Sequence, residues 1–172
     1  MCELTRGEVQ ELLARPEELV AVWPDASGER LDVIVPRHLE RDGFRFVAEH
    51  DEDGRLAGLA YGYVGAAGQW WHDLVAGAME EEARERWLAP GHFEFVELAV
   101  RPDLRRRGIG GRLHDALLAG LDAPTAVLST EVENERAIAL YRGRGWQVVV
   151  PELDFGPEFP PFLVLGKELA GS

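Results

Sequence analysis

The stretch "FEFVELAVRPDLRRRGIGGRLHDALLAGL", residues 93–121, combines an apolar segment, a turn rich in arginine and glycine, and an amphipathic segment. Residues 93–100 are apolar on both faces apart from Glu94 and Glu97, which is typical of a central strand. Apolar side chains recur at helical spacing over residues 109–121. The stretch therefore predicts a strand, a turn and a helix in that order, as in an α/β layered domain.

The turn between this strand and helix has the features of an anion site. The first backbone amides of a helix have no partner within the helix, and glycine lets an anion approach them closely. The glycines of the turn are Gly108, Gly110 and Gly111, and the arginines that raise its local potential are Arg105, Arg106, Arg107 and Arg112. We expect the turn to bind a phosphate or a diphosphate.

Two other phosphate-binding motifs fit the turn poorly. The nucleotide P-loop requires a lysine after its last glycine, and the single lysine of the chain is Lys167. The dinucleotide fingerprint G-x-G-x-x-G begins with Gly108 and Gly110, but Leu113 stands in place of its third glycine. Seven residues also separate Val100 from Gly108, where that fingerprint needs a tight turn. A dinucleotide-binding oxidoreductase stays as an alternative.

The rest of the chain predicts further strands and helices of one fold. Residues 44–50 and 55–64 alternate between apolar and polar side chains, and the "DEDG" between them offers Gly54 for a hairpin turn. The later predicted elements are a helix over 74–88, a strand over 125–130, a helix over 134–145 and closing strands over 146–150 and 161–167. An apolar edge strand at 161–167 could pair with a second copy, and the oligomeric state, monomer or homodimer, stays open.

The N-terminal part is less regular. Thr5 and Glu8 have the spacing of a capping box, which predicts a helix that ends near Pro16. Residues 29–43 are compatible with either a strand or a helix, and no convincing strand precedes the first helix. Without repeats or linkers, residues 1–172 are expected to form a single domain.

Composition narrows the classes of partner. The chain has 172 residues and a formal net charge of −13, which repels nucleic acid and anionic membrane surfaces. No segment has the apolar length of a transmembrane helix, and the first residues lack the basic and apolar regions of a signal peptide, so we expect neither. Cys2 is the single cysteine, so we expect a cytoplasmic protein without disulfides or a metal site.

Two linked motifs resemble those of the GNAT superfamily of N-acetyltransferases. "RRRGIG", residues 105–110, matches its pattern [RQ]-x-x-G-x-[GA] between a strand and a helix. "NERAIALYRGRGW", residues 134–146, matches a second stretch with Asn, then Ala and Tyr, then Gly before an aromatic residue. In element order the resemblance covers residues 44–167. It implies a GNAT-like mixed, mostly antiparallel central sheet with helices on both faces.

The resemblance also implies a donor site for acetyl-CoA and a primary amine as acceptor. The diphosphate would lie on the turn, and the pantetheine arm would run beside the end of the strand and be contacted by Asn134. The residues implied in donor binding are Ala99, Val100, Arg105, Arg106, Arg107, Gly108, Ile109, Gly110, Gly111, Asn134 and Ala137. A protein that binds an acyl-CoA as a sensor and transfers nothing stays as an alternative.

The chemistry requires a proton for the departing thiolate and a base for the amine. Tyr141 matches the general acid of the family, and Asn134 and Ala137 share its helical face. Glu94 and Glu97 are the candidate bases, but residues three apart in a regular strand point to opposite faces. The resemblance implies a β-bulge here, so the choice stays open, as does water alone; we favour Glu97, which is closer to the reaction end.

The acceptor pocket is expected from the variable parts, namely the N-terminal helices, residues 60–65 and residues 68–92. The candidate side chains for an aromatic, acidic cage around a cation are Tyr61, Tyr63, Trp70, Trp71 and Asp73. Acidic side chains within residues 152–158 and the net charge suggest a cationic small molecule or peptide amine. His72 and His114 are expected at the surface. The identity of the acceptor and the biological role stay open.

Overall fold

The computed structural model of the protein describes residues 1–22, 29–89 and 91–169, with the backbone alone at residues 29–33. The strands are β1 (Cys2–Glu3), β2 (Arg45–His50), β3 (Leu56–Gly65), β4 (His92–Val100), β5 (Thr125–Glu131), β6 (Gln147–Leu153) and β7 (Phe162–Glu168). The helices are α1 (Arg6–Leu13), α2 (Pro16–Val22), α3 (Glu29–Leu39), α4 (Trp70–Ala78), α5 (Glu81–Trp87), α6 (Ile109–Leu118) and α7 (Glu135–Arg142).

The strands form one seven-stranded sheet that is flanked by helices. Their order is β1-β2-β3-β4-β5-β7-β6. The pairs β1–β2, β2–β3, β5–β7 and β6–β7 are antiparallel, whereas β4 and β5 are parallel. The predicted mixed, mostly antiparallel sheet is therefore confirmed.

Contacts between Cα atoms group the chain into two compact units. The first comprises Met1–Tyr63 and Val96–Ala119, and the second comprises Val64–Phe95 and Gly120–Ser172. Strands β3 and β4 each contribute residues to both units.

In the first unit, α1, α2 and α3 cover one face of the β2–β3 hairpin. The buried core there consists of Val9, Leu12, Leu19, Val22, Val35, Leu39, Phe46, Ala48, Leu56, Leu59, Tyr61 and Ala99. The predicted capping box is present, since the Thr5 hydroxyl accepts from the Glu8 amide and Glu8 accepts from the Thr5 amide. The predicted hairpin is also present, with Gly54 at a φ of 76° and the Asp51 amide 2.9 Å from the Arg55 carbonyl.

Three N-terminal predictions need correction or completion. Pro16 begins a second helix, α2, because its fixed φ suits a first helical position and its missing N–H costs nothing there. The ambiguous segment 29–43 contains the helix α3. A first strand does exist, since Cys2 pairs with Ala48, but two residues are too short to produce a recognisable periodicity.

In the second unit, the single helix predicted over 74–88 is wrong. The structure has α4 and α5 with a break between them, because Met79 adopts an extended conformation (φ −93°, ψ 143°) and buries its side chain. Arg84 of α5 donates to the carbonyls of Ala76 and Met79, so the exposed carbonyls at the end of α4 are bonded. Thr125 donates to the Trp87 carbonyl at 2.8 Å and ties α5 to β5.

The strand predicted at 161–167 is present as β7, but it is not an edge strand. It pairs with β5 on one side and with β6 on the other. Among the described strands, β6 forms the edge at this end of the sheet. Pairing of 161–167 with a second copy is therefore excluded by its position.

Candidate functional site

The turn rich in arginine and glycine lies in the first unit and has the geometry of an anion site. After β4 the chain makes one 3-10 turn, Pro102–Leu104. Arg106 then adopts a left-handed conformation with a φ of 64°, as does Gly108 with a φ of 79°. Left-handed residues of this kind turn neighbouring backbone N–H groups toward one side, which forms an anion-binding concavity. Gly108 caps α6 without a side chain, so it leaves the amides of the first helical turn open to an anion.

The arginines of the turn have different surroundings. Arg105, Arg106 and Arg107 are exposed, and Arg105 Nε donates to the Val100 carbonyl at 3.1 Å. Arg112 instead pairs with Glu49 of β2 and donates to the Arg107 carbonyl at 3.2 Å. Hydrogen bonds to Glu49 raise the pKa of Arg112. Arg112 thus links the turn to β2, while the side chains of Arg105, Arg106 and Arg107 are exposed to solvent.

Helix α6 packs closely against β3 at Gly58. An added Cβ at Gly58 of β3 would lie 2.8 Å from the Ala99 carbonyl oxygen and 2.9 Å from Leu113 Cδ1. Leu113 and Leu117 are fully buried beneath the helix. His114 is 2% exposed, with Nδ1 2.7 Å from an Asp115 oxygen, so the expected surface position is wrong. Its place beside the apolar stripe of α6 explains why it is buried.

The end of β4 departs from regular alternation. Ala99 belongs to the core of the first unit, and Val96 packs against the same core. Residues three apart in an unbroken strand point to opposite faces, so the alternation is interrupted between them, as at a β-bulge. Glu97, between the two, is half-buried, and its Oε1 accepts from the Leu98 amide at 3.1 Å.

The second motif lies in the second unit, on α7. Asn134 caps the helix, with Oδ1 accepting from the Ala137 amide at 3.2 Å. Tyr141 is 7% exposed, and its ring meets the ring of Trp146 at 5.6 Å. Glu94 of β4, the other candidate base, is buried in this unit with 4% exposure. Asn134 thus caps the helix α7 that contains both Ala137 and Tyr141.

The proposed acceptor tyrosines lie in the first unit, together with a histidine that sequence reasoning missed. Tyr61 and Tyr63 are each 2% exposed. His38 Nδ1 lies 3.2 Å from the Tyr61 hydroxyl, and the His38 ring lies 4.8 Å from the Tyr63 ring. Burial, with smaller effects from Arg41 and Arg37, lowers the pKa of His38 to about 4. No sequence signal identified His38, because its segment was readable as strand or helix.

The other proposed acceptor residues belong to α4 in the second unit. Trp70 is 63% exposed, with its ring 5.6 Å from that of Phe155. Trp71 instead packs against the core of the unit and donates from Nε1 to the Ser129 hydroxyl at 3.0 Å. Trp70 and Asp73 line a recess of about 580 Å³, which Trp71 does not line. The structure therefore brings together two of the five predicted cage residues at this recess.

Two further features concern only the described residues. No helix among them is long and apolar enough to cross a membrane. No group of three or more His, Cys, Asp or Glu side chains among them is arranged to hold a metal ion.

Solved structures share this fold. A protein from Corynebacterium glutamicum, described as histone acetyltransferase HPA2 and related acetyltransferase, superposes with a TM-score of 0.65 at 14% identity, covering 99% of this chain and 96% of that chain. A phosphinothricin acetyltransferase from Sinorhizobium meliloti, solved in complex with AcCoA, gives a TM-score of 0.60 at 15% identity, covering 99% and 89%. At these identities the likeness concerns the fold alone.

Sequence comparison gives a closer relationship. A GCN5-like protein acetyltransferase of Mycobacterium tuberculosis is 36% identical over 121 residues, which are 66% of this chain and 59% of that protein. The match thus spans less than two thirds of the relative's length. The profile of the Acetyltransferase (GNAT) family matches residues 8–146. With the strand, turn and helix of the first motif and the capped helix of the second in place, the chain belongs to the GNAT acetyltransferase family.

Proposed function

We propose that residues 1–172 act as one cytoplasmic, acetyl-CoA-dependent N-acetyltransferase domain, in which a primary amine attacks the thioester directly. The observation that carries this proposal is the turn before α6, with left-handed Arg106 and Gly108. A concavity of backbone N–H groups at a helix N-terminus suits a diphosphate. Three exposed arginines at the same turn supply positive charge in a chain of net charge −13.

Donor binding is assigned to the residues that the motif identifies. The amides of residues 106–111 would hold the diphosphate, with Arg105, Arg106 and Arg107 neutralising its charge. Backbone groups of Ala99 and Val100 would contact the pantetheine arm. Asn134 is proposed as a further contact of the arm, as the second motif implies. The interrupted alternation of β4 supports this, because a bulged strand leaves backbone groups outside the regular ladder.

Tyr141 is proposed as the general acid. Its hydroxyl would donate a proton to the sulfur as the thiolate departs, since a thiolate is a poorer leaving group than a thiol. The packing of its ring against Phe95 and Trp146 supports this role, because a fixed ring holds the hydroxyl in one orientation.

Glu97 is proposed as the group that takes the proton from the acceptor ammonium, directly or through water. An ammonium with a pKa near 10 must be deprotonated before it can attack a carbonyl carbon. Glu97 is partly exposed, whereas Glu94 is buried, so Glu97 is the more accessible of the two carboxylates. Replacing each separately by glutamine and comparing the pH dependence of kcat/KM tests the assignment.

The acceptor is proposed to be a cationic amine of a small molecule or a peptide. The net charge of −13 favours a cation by long-range attraction. The relative from Mycobacterium tuberculosis carries the name of a protein acetyltransferase, which favours a lysine side chain or a peptide N-terminus.

The first experiment is calorimetric titration with acetyl-CoA, with NAD and ATP as controls in the same buffer. We expect micromolar binding of acetyl-CoA alone, followed by thiol release when a panel of amines is added. Binding that never leads to thiol release would instead support an acyl-CoA sensor. Binding of NAD alone would support the oxidoreductase alternative, and a folded chain that binds none of the three would overturn the proposal.

A pair of glycine variants tests the turn itself. Gly110→Asp places a side chain and a negative charge in the first turn of α6, and we expect it to abolish acetyl-CoA binding. Gly7→Asp is the matched control, because it makes the same charge change in α1, where an added Cβ meets nothing within 4 Å. Equal acetyl-CoA affinity in both variants would refute the assigned turn.

A further inference from the structure

Trp70, which lines the recess on α4, belongs to a group of three aromatic side chains, two of which are exposed. Trp70 is 63% exposed and Phe159 is 46% exposed, and each packs against Phe155, at 5.6 Å and 6.5 Å between ring centroids. We call the recess and these three rings the Trp70 surface. Large apolar side chains that cluster on the protein surface mark interaction sites more often than isolated exposed ones do.

The floor of the recess is apolar and contains one carboxylate. Its lining residues are Trp70, Asp73, Leu74, Gly77, Ala78 and Leu153. The Asp73 side chain is 55% exposed, and its Oδ1 accepts from the Gly68 amide and lies within hydrogen-bond distance of His72 Nδ1, each at 3.0 Å. Within the described part of the chain, no bond engages Asp73 Oδ2. The hydrogen bond from His72, reinforced by that from Gly68, lowers the pKa of Asp73, so the carboxylate is ionised at neutral pH.

The segments beside the Trp70 surface are acidic as well. Exposed carboxylates follow α4 at Glu80, Glu81 and Glu82, lie near the end of β6 at Glu152, and occupy the connection from β6 to β7 at Asp154 and Glu158. The nearby cation Arg84 is bonded to the carbonyls of Ala76 and Met79 at the end of α4. A nucleic acid, an anionic lipid surface or a second copy of this chain would therefore be repelled, whereas a basic partner would be attracted.

We propose that the Trp70 surface docks a polypeptide segment that carries basic and apolar side chains next to each other. The aliphatic part of a lysine or arginine would cover Leu74 and Leu153, and its cationic end would lie between the Trp70 ring and the Asp73 carboxylate. This inference rests on the proposed function in one respect, that the docked polypeptide is the protein carrying the acceptor amine. It adds a recognition surface built by α4, which belongs to the long segment 68–92.

The test uses the full chain without acetyl-CoA, so that binding is measured apart from any acetyl transfer. The probe is a peptide of four Lys-Leu repeats with both ends capped, and its counterpart has four Gln-Leu repeats. Indole N–H signals follow the titration by NMR, with the Trp70 signal identified from Trp70→Phe. We expect the Lys-Leu peptide alone to shift the Trp70 signal, and higher salt to weaken its binding.

Variants then locate the site. Trp70→Ala and Asp73→Asn should each raise the Kd of the Lys-Leu peptide about fivefold. Matched controls are Val20→Ala, another exposed apolar residue, and Asp53→Asn, another exposed carboxylate, which should change the Kd less than twofold. Both test residues are exposed, and a thermal melt of each variant confirms its folding.

Four outcomes would overturn the inference: no binding of the Lys-Leu peptide, equal binding of the Gln-Leu peptide, equal weakening in test and control variants, or self-association that Trp70→Ala abolishes in sedimentation. None of these touches acetyl-CoA binding, which is measured separately. Failure of the docking surface would thus leave the proposed acetyl transfer standing. Failure of acetyl-CoA binding would leave the peptide measurement interpretable.

Discussion

The ring of Tyr141 meets the ring of Phe95 edge to face, with 5.9 Å between the centroids and 79° between the planes. This contact uses the ring alone, so phenylalanine at position 141 can keep it. Tyr141→Phe therefore separates the contribution of the hydroxyl from that of this ring contact.

Tyr141→Phe should lower kcat by roughly 10²-fold or more, because general acid catalysis typically contributes 10² to 10⁴-fold. The Kd of acetyl-CoA should stay within about threefold of the unchanged protein, since the proton is needed only as the thiolate leaves. Thiol-release kinetics and calorimetry measure the two quantities. A parallel loss of donor affinity would indicate a structural role for the hydroxyl instead.

Arg106→Gly should leave the free energy of unfolding unchanged or raise it by up to about 1 kcal/mol. Glycine relieves the left-handed conformation, which costs a residue with a side chain roughly 1–2 kcal/mol, while its greater freedom in the unfolded chain offsets part of this gain. Urea denaturation measures the change. Arg107→Gly is the matched control, because it removes the same charge without relieving a left-handed conformation, and it should destabilise. Equal changes in the free energy of unfolding at both positions would contradict the proposed backbone strain at Arg106.

Gly58→Ala should lower the free energy of unfolding by about 1–3 kcal/mol, the usual cost of an extra carbon in a well-packed site. The new Cβ would lie 2.8 Å from the backbone oxygen of Ala99, which cannot rotate away as a side chain can. Gly7→Ala provides the comparison, since an added Cβ there meets nothing within 4 Å. If the two variants unfold at the same urea concentration, the space beside Gly58 accommodates a Cβ and the proposed close packing is contradicted.

Stability should fall on acidification through the range from pH 6.5 to about pH 4. Burial lowers the pKa of His38 and of His92 to about 4, from an ordinary value of 6.5. The unfolded chain therefore binds protons first, so the stabilisation present above pH 6.5 is lost as the pH falls toward the folded-state pKa. Urea denaturation at several pH values should give a smaller loss for His38→Gln than for the unchanged protein.

The control for this pH dependence is His50→Gln, which removes an exposed histidine from β2. It should leave the slope of stability against pH close to that of the unchanged protein. An identical slope in His38→Gln would mean that His38 titrates alike in the folded and unfolded chains.

Long periodic segments and the two motifs could be predicted from the sequence, because their information is local. The hairpin with Gly54, the helix capped by Gly108 and the helix capped by Asn134 are each specified by residues a few positions apart. The same locality explains the capping box of Thr5. The catalytic roles of Tyr141 and Glu97 remain predictions, because each role is defined by contact with acetyl-CoA or with the acceptor amine.

Other features could not be predicted, because they depend on tertiary contacts or because one residue type is compatible with two local conformations. Proline is compatible with the end of one helix and with the start of the next, and only packing of Leu19 and Val22 makes Pro16 a start. The break at Met79 carries no glycine or proline and follows from burial of its side chain. The left-handed Arg106 was unpredictable for a similar reason, because arginine has no preference for that conformation.

The exposed side of β6 has a consequence for solubility. An edge strand offers free N–H and C=O groups to any other extended chain, which is the usual start of aggregation. Pro151 lies within β6 and has no N–H to offer, and Glu152 follows it with a negative charge. The apolar run at 148–150 is therefore followed by two residues that disfavour the addition of a further strand, so aggregation through that edge is opposed by the strand's own sequence.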